Sequence, residues 1–152
     1  MHGDPHVQLQ LLGRAVKQAQ YRQHRALDGA LAGVGTTLAQ WDALRAISRS
    51  PGSSARELAA ATFQTEQAFG TLVGRLAGQG LVDRRPGRGR RIEHHLTEAG
   101  ERVLEAGHEV ADQVLTQCFA GLEETDRAAL VELLQRLNGE GAAAGSRTLV
   151  GE

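Results

Sequence analysis

Between Arg84 and Arg91 the chain resists a helix: Pro86, Gly87 and Gly89 break the backbone inside a stretch where five arginines fall within eight residues. Ile92-Glu93-His94-His95-Leu96 follows as a strand-like segment, and Leu81 to Arg85 precedes it as another. The two read as a hairpin with a Gly/Pro tip, set directly behind a helical segment. The rest of the chain carries helical periodicity, so the sequence describes a helical protein interrupted by one basic hairpin. The charge is equally localised. Of 17 Lys+Arg, these five arginines leave 12 facing 18 Asp+Glu, a net of −6 outside the hairpin. A single cationic projection on an otherwise acidic chain is suited to lying along a phosphate backbone.

A length of 152 residues suits one domain with an attached oligomerisation element. Apolar residues make up 41% and aromatics only 3%, so the core must be built of Leu, Ala and Val, a composition that favours helices over a sandwich or barrel. No apolar run approaches the roughly 20 residues that span a bilayer. The N-terminus lacks a charged-then-apolar signal pattern, and a cytoplasmic location without membrane association is expected. The single cysteine, Cys118, excludes an intrachain disulfide framework and a cysteine-based zinc finger.

Asp4-Pro5 reads as a cap followed by proline at the first helical position. Leu9, Leu12, Val16, Ala19, Ala26, Leu27, Ala30 and Leu31 then predict a long helix to about residue 32, ended by Gly33 and Gly35. Thr37-Leu38-Ala39-Gln40 has the form of a capping box, with Gln40 reaching back, and opens a second helix through Trp41, Leu44 and Ile47 that Ser50-Pro51-Gly52 breaks. Ser54-Ala55-Arg56-Glu57 is a second box and opens a short helix to Ala61. Thr65 caps a fourth, whose Phe69, Leu72, Val73 and Leu76 form one apolar face. After the hairpin, Thr97 caps a long fifth helix with a stripe of Val103, Gly107, Val110, Val114 and Cys118, flanked by Leu104, Ala111 and Leu115; Gly121 interrupts, and a last helix covers 124–138. On the second strand Ile92, His94 and Leu96 share one face, with His94 expected as a hydrogen-bonded packing residue.

The expected fold is mainly α with a small β-hairpin wing: a winged helix-turn-helix domain over 37–97, a helical dimerisation domain over 4–35 and 98–138, and a disordered tail over 139–152. The sequence resembles the MarR family of bacterial transcriptional regulators from about residue 9 to 137. The segments that carry the resemblance are Thr37-Leu38-Ala39-Gln40-Trp41-Asp42-Ala43-Leu44, Glu57-Leu58-Ala59, Arg75-Leu76 through Gly80-Leu81-Val82-Asp83-Arg84-Arg85-Pro86, and Leu96-Thr97-Glu98-Ala99-Gly100. It implies a homodimer on a pseudo-palindromic double-stranded DNA operator. The helix after Thr65 would enter the major groove and the wing would lie over the backbone or minor groove. It also implies a repressor released by a small ligand. No nucleophile–base pair, phosphate loop or dense metal set emerges from the residues, so neither an enzyme nor a cofactor is expected.

On these positions the expected DNA-binding residues are Ser54, Thr65, Gln67, Ala68, Thr71, Arg75, Arg84, Arg85, Arg88, Arg90 and Arg91. Gln67 suits adenine; Arg75 suits guanine or a phosphate. The wing departs from the family pattern. Arg88 stands where an aspartate usually orients the tip arginine, Arg90 matches that tip arginine, and the loop is about two residues shorter, which favours phosphate contacts over base readout. Gly70 and Gly74 in the fourth helix admit two readings, close approach to DNA or tight packing against a neighbouring helix.

Tyr21, His24, Arg25 and Trp41 are candidates for an effector site, an aromatic wall with cations suited to a small aromatic anion; equally, Trp41 is core and Arg25 a salt-bridge partner. Cys118 is expected to be a small buried hydrophobe. His24, His108 and Asp112 do not amount to a metal site, and none is expected. The rival reading is a winged-helix protein-interaction module without sequence-specific DNA binding.

Overall fold

A computed structural model describes residues 3–140. The expected tail, 139–152, lies outside the described residues from 141 onward. The elements are α1 (Pro5–Ala32), α2 (Leu38–Arg49), α3 (Ala55–Ala61), α4 (Glu66–Gly78), β1 (Val82–Pro86), β2 (Ile92–Leu96), α5 (Glu98–Cys118) and α6 (Glu124–Leu137). The starts of α1 to α4 are fixed by local polar chemistry. The Asp4 carboxylate accepts from the His6 backbone N–H at 2.9 Å, with Pro5 at the first position of α1. Thr37, Ser54 and Thr65 accept from the N–H groups of Gln40, Glu57 and Ala68 to open α2, α3 and α4. The box at Ser54 is complete, because Glu57 accepts from the Ser54 N–H at 3.0 Å. The one at Thr37 is half-formed, contrary to expectation. Gln40 does not reach back to the cap; its carbonyl oxygen accepts from the hydroxyl of the buried Thr36 at 3.3 Å, while the Leu38 N–H donates to Asp28 of α1 at 2.9 Å.

The chain falls into two compact units divided between Leu115 and Thr116. In the first, Leu27 and Leu31 of α1, Trp41, Leu44 and Ile47 of α2, Leu58 of α3, Phe69, Val73 and Leu76 of α4, Val82 of β1, and Leu104 and Ala111 of α5 form one core. Each large side chain buried there contributes roughly 1.5–3 kcal/mol relative to exposure. Helices α3 and α4 with the antiparallel β1–β2 hairpin, paired from Val82↔Leu96 to Pro86↔Ile92, make a winged helix-turn-helix. A further backbone bridge joins Ser53 to His94, a pairing with no local sequence signal. His94 is 2% exposed, and its Nδ1 lies 2.8 Å from the Ser53 carbonyl oxygen, so that nitrogen carries the proton and donates.

Helix α5 is seated by two glycines. A Cβ on Gly100 would fall on the Leu81 carbonyl, and one on Gly107 would fall on the Trp41 indole. Trp41 lies against α5 at that point, with Nε1 donating to the Leu104 carbonyl at 3.2 Å and His108 edge-on at 5.4 Å between ring centroids. The buried line of α5 is therefore Gly100, Leu104, Gly107 and Ala111: of the expected stripe only Gly107 is fully buried, and the line otherwise runs along the Leu104 and Ala111 flank. Cys118, expected to be buried, is exposed. The stripe that placed it in the core followed Val103, Val110 and Val114, which lie on the half-buried shoulder of the helix.

The second unit holds the end of α5 and helix α6. No residue of α6 is fully buried, and Val131, Leu133 and Leu137 are each more than half exposed. No helix among the described residues is long and apolar enough to cross a membrane.

Candidate nucleic-acid interface

Helix α4 has two faces. Phe69, Val73 and Leu76 are buried with Leu72 beside them, while Thr65, Gln67, Ala68, Thr71 and Arg75 are all exposed, as expected. Thr65 uses its oxygen to cap the helix, accepting from the Ala68 N–H at 3.1 Å, and the Thr71 hydroxyl donates to the Gln67 carbonyl at 3.2 Å. The side chains of Gln67 and Arg75 make no hydrogen bond or ion pair among the described residues, which leaves their donors available to a groove. The two readings of Gly70 and Gly74 separate here: a Cβ at either meets nothing within 4 Å, so neither glycine exists to admit a neighbouring helix. Ser54 is less available than expected, since both its hydroxyl oxygen and its backbone N–H are engaged by Glu57.

The wing loop closes through Gly87 N–H to the Arg91 carbonyl at 2.8 Å and Arg91 N–H to the Arg88 carbonyl at 3.1 Å. Its five arginines do not form one class. Arg84, Arg88 and Arg90 are exposed and make no hydrogen bond or ion pair among the described residues. Arg85 lies 3.5 Å from Asp83 on its own strand, a solvated contact of little energy. Arg91 departs from the expected role as a DNA contact. It forks onto both carboxylate oxygens of Glu57 at 2.9 and 3.0 Å and donates to the Gly52 carbonyl at 3.1 Å. The same Glu57 closes the α3 capping box, so this arginine ties the wing loop to the start of the helix-turn-helix.

The clamp has an acid–base signature. The Arg91 hydrogen bonds, followed by the Ser54 backbone N–H, hold the Glu57 carboxyl down at about 2 from an ordinary 4.5. A carboxylate lowered in the folded state contributes stability that is complete above about pH 4.5, declines as pH falls below that and is gone once pH has passed through about 2, so the clamp is intact across the physiological range. Arg91→Ala should return the Glu57 titration most of the way toward 4.5, stopping short of it because the Ser54 bond remains. It should also speed amide exchange in residues 87–91. A side-chain NMR titration checks this, and an unmoved Glu57 midpoint would show that the fork is not formed in solution.

The four expected effector residues do not form one site; only Tyr21 and Arg25 contact each other. Trp41 is core, covered by α5 on one side and by the Arg45 guanidinium 4.4 Å from its ring centroid. Tyr21 and His24 are exposed on α1. Tyr21 is paired with Arg25, whose guanidinium lies 5.8 Å from the ring centroid and 3.4 Å from the phenol oxygen. Among the described residues no group of three His, Cys, Asp or Glu side chains could hold a metal ion; His108 packs on Trp41. Two features carry no signal in the sequence: the Glu57–Arg91–Gly52 clamp, and the exposed Phe63 in the turn before α4.

A family model described as the MarR family matches residues 34–92. No curated protein matches the chain. Among solved structures, a probable transcriptional regulator from Pseudomonas aeruginosa is 30% identical with a TM-score of 0.75, over 82% of this chain and 95% of that one. A MarR family protein of Mycobacterium tuberculosis in complex with p-aminosalicylic acid is 27% identical with a TM-score of 0.71, over 84% of this chain and 98% of that one. The same protein in complex with DNA is 26% identical with a TM-score of 0.70, over 83% and 96% respectively. MarR from E. coli, in a mutant form on operator DNA, shares the fold at a TM-score of 0.80 and 22% identity, over 89% of this chain and 99% of that one.

Proposed function

The chain belongs to the MarR family, and from that premise we propose that it is a homodimeric, sequence-specific repressor on double-stranded DNA that leaves its operator when a small ligand binds. The observation that carries the reading is the conjunction of an exposed α4 face, with Gln67 and Arg75 uncommitted, and a wing that presents Arg84, Arg88 and Arg90 without partners among the described residues. Gln67 reads a base edge, Arg75 a guanine or phosphate, and the wing arginines neutralise phosphates. A DNA complex of the Mycobacterium tuberculosis relative supports this assignment. The work is binding, not catalysis, and is done in the cytoplasm.

Residues 37–97 serve DNA, and 4–35 with 98–138 serve dimerisation. Val7, Leu9, Leu11 and Leu12 of α1 are each more than half exposed in the single chain, as are Val131, Leu133 and Leu137 of α6. Apolar surface on this scale is covered in solution by a second copy. Light scattering at micromolar concentration should give twice the chain mass; a monomer would contradict the dimer. For the effector, the relative's complexes with p-aminosalicylic and salicylic acid favour a small aromatic acid. The Tyr21–Arg25 pair offers a cation beside an aromatic face to such a ligand. The reading as a whole is tested by a gel shift on genomic fragments across a salt series. Specific retention with a linear log–log salt dependence is expected. No retention at low salt would leave the winged-helix interaction module as the better account.

A further inference from the structure

Phe63 occupies the turn between α3 and α4, and two features of it run against folding. It is 98% exposed, so its ring gives nothing to the core. Its φ is +58°, a left-handed conformation that non-glycine residues rarely hold. The local bonds explain the backbone. Phe63 N–H donates to Ala60 and Gln64 N–H donates back to Ala59 at 2.9 Å, the pattern that ends a helix on one left-handed residue. Glycine or asparagine fills that position without a buried partner and without strain. A phenylalanine there costs backbone energy and leaves a large apolar ring in water, so its benefit has to come from outside the chain.

Its place says what it meets. Phe63 stands two residues before Thr65, the N-cap of α4, at the helix end that also carries Gln67 and Ala68. We propose that Phe63 is an apolar DNA contact of the recognition helix, its ring laid on a deoxyribose face or a thymine methyl at the edge of the major groove. The inference rests on the DNA-binding reading above and adds to it a contact of a different chemistry. It carries no charge and releases no counterion; on a deoxyribose it adds affinity alone, and on a thymine it also discriminates through the C5-methyl group.

Phe63→Asn keeps a residue that tolerates the left-handed turn and removes the ring. Its affinity for selected DNA should fall at least tenfold, with the salt slope unchanged and the melting temperature equal to or above that of the unsubstituted protein. Replacing thymine by uracil at single half-site positions separates the two surfaces. Weakening of the unsubstituted protein, but not of Phe63→Asn, assigns the methyl group; no uracil effect beside the tenfold loss assigns the sugar. Full affinity in Phe63→Asn overturns the proposal, as does a loss of binding that tracks a lower melting temperature. If the unsubstituted protein binds no DNA, the DNA-binding reading has failed and this contact with it.

Discussion

Gly107→Ala is expected to destabilise the protein by about 2–5 kcal/mol. The new methyl group would sit on the Trp41 indole, in contact with Nε1 and Cδ1. Neither side can yield cheaply. Trp41 is 3% exposed and wedged between α5 and the Arg45 guanidinium, and the helix backbone on the other side is held by its own ladder. Displacing the indole also breaks the Nε1 bond to the Leu104 carbonyl and leaves a buried donor unsatisfied. Gly74→Ala is the matched control. A Cβ there meets nothing within 4 Å, so relief of glycine's helix penalty should raise stability by ~0.5–1 kcal/mol. Chemical denaturation of both variants checks the pair. Gly107→Ala unfolding at the midpoint of the unsubstituted protein would mean that the indole is seated elsewhere.

The largest functional effect should come from the wing. Replacing Arg84, Arg88 and Arg90 together by alanine should weaken DNA binding on the order of 100-fold or more at moderate salt, and make the salt slope shallower by about 0.9 for each phosphate contact removed. The loss should apply to all sequences alike, because these cations neutralise phosphates and read no base. Stability should barely change, since the three side chains make no hydrogen bond or ion pair among the described residues. Arg91 belongs to a different mechanism despite being next in the chain. It holds the wing against Glu57, so its removal acts by loosening the position from which the other arginines reach the backbone. Wild-type affinity and slope in the triple variant would remove the wing from the interface.

What was legible in the sequence was local. Caps at Asp4, Ser54 and Thr65 fix helix starts through bonds made within a few residues, and those helices began where the caps stood; the break expected after Arg85 came one residue later, since Pro86 still pairs with Ile92 in the hairpin. The exposed face of α4 followed from its 3.6-residue period. What was not legible depends on distant contacts. Arg91 and Glu57 are 34 residues apart, and nothing in a run of arginines marks which one will find a carboxylate. The expected stripe of α5 included Gly107 but ran on through Val103, Val110 and Val114, because Gly100 carries no hydrophobic signal and Leu104 and Ala111 read only as its flank. The two glycines are the buried ones because α5 approaches Leu81 and Trp41 too closely for any side chain. Cys118 was placed in the core by the same stripe. Trp41, grouped with Tyr21 and Arg25 for its aromatic character, went to the core, where its indole had a carbonyl to bind.

Selection of bound fragments from random DNA tests the central claim most directly, because one profile reports sequence readout, symmetry and spacing together. The account predicts an inverted repeat whose half-sites are centred about 10 base pairs apart, one turn of the double helix, as two copies of α4 in successive major grooves require. Enrichment of a single unrepeated half-site would contradict the dimeric geometry, and no enrichment at all would contradict sequence-specific DNA binding itself.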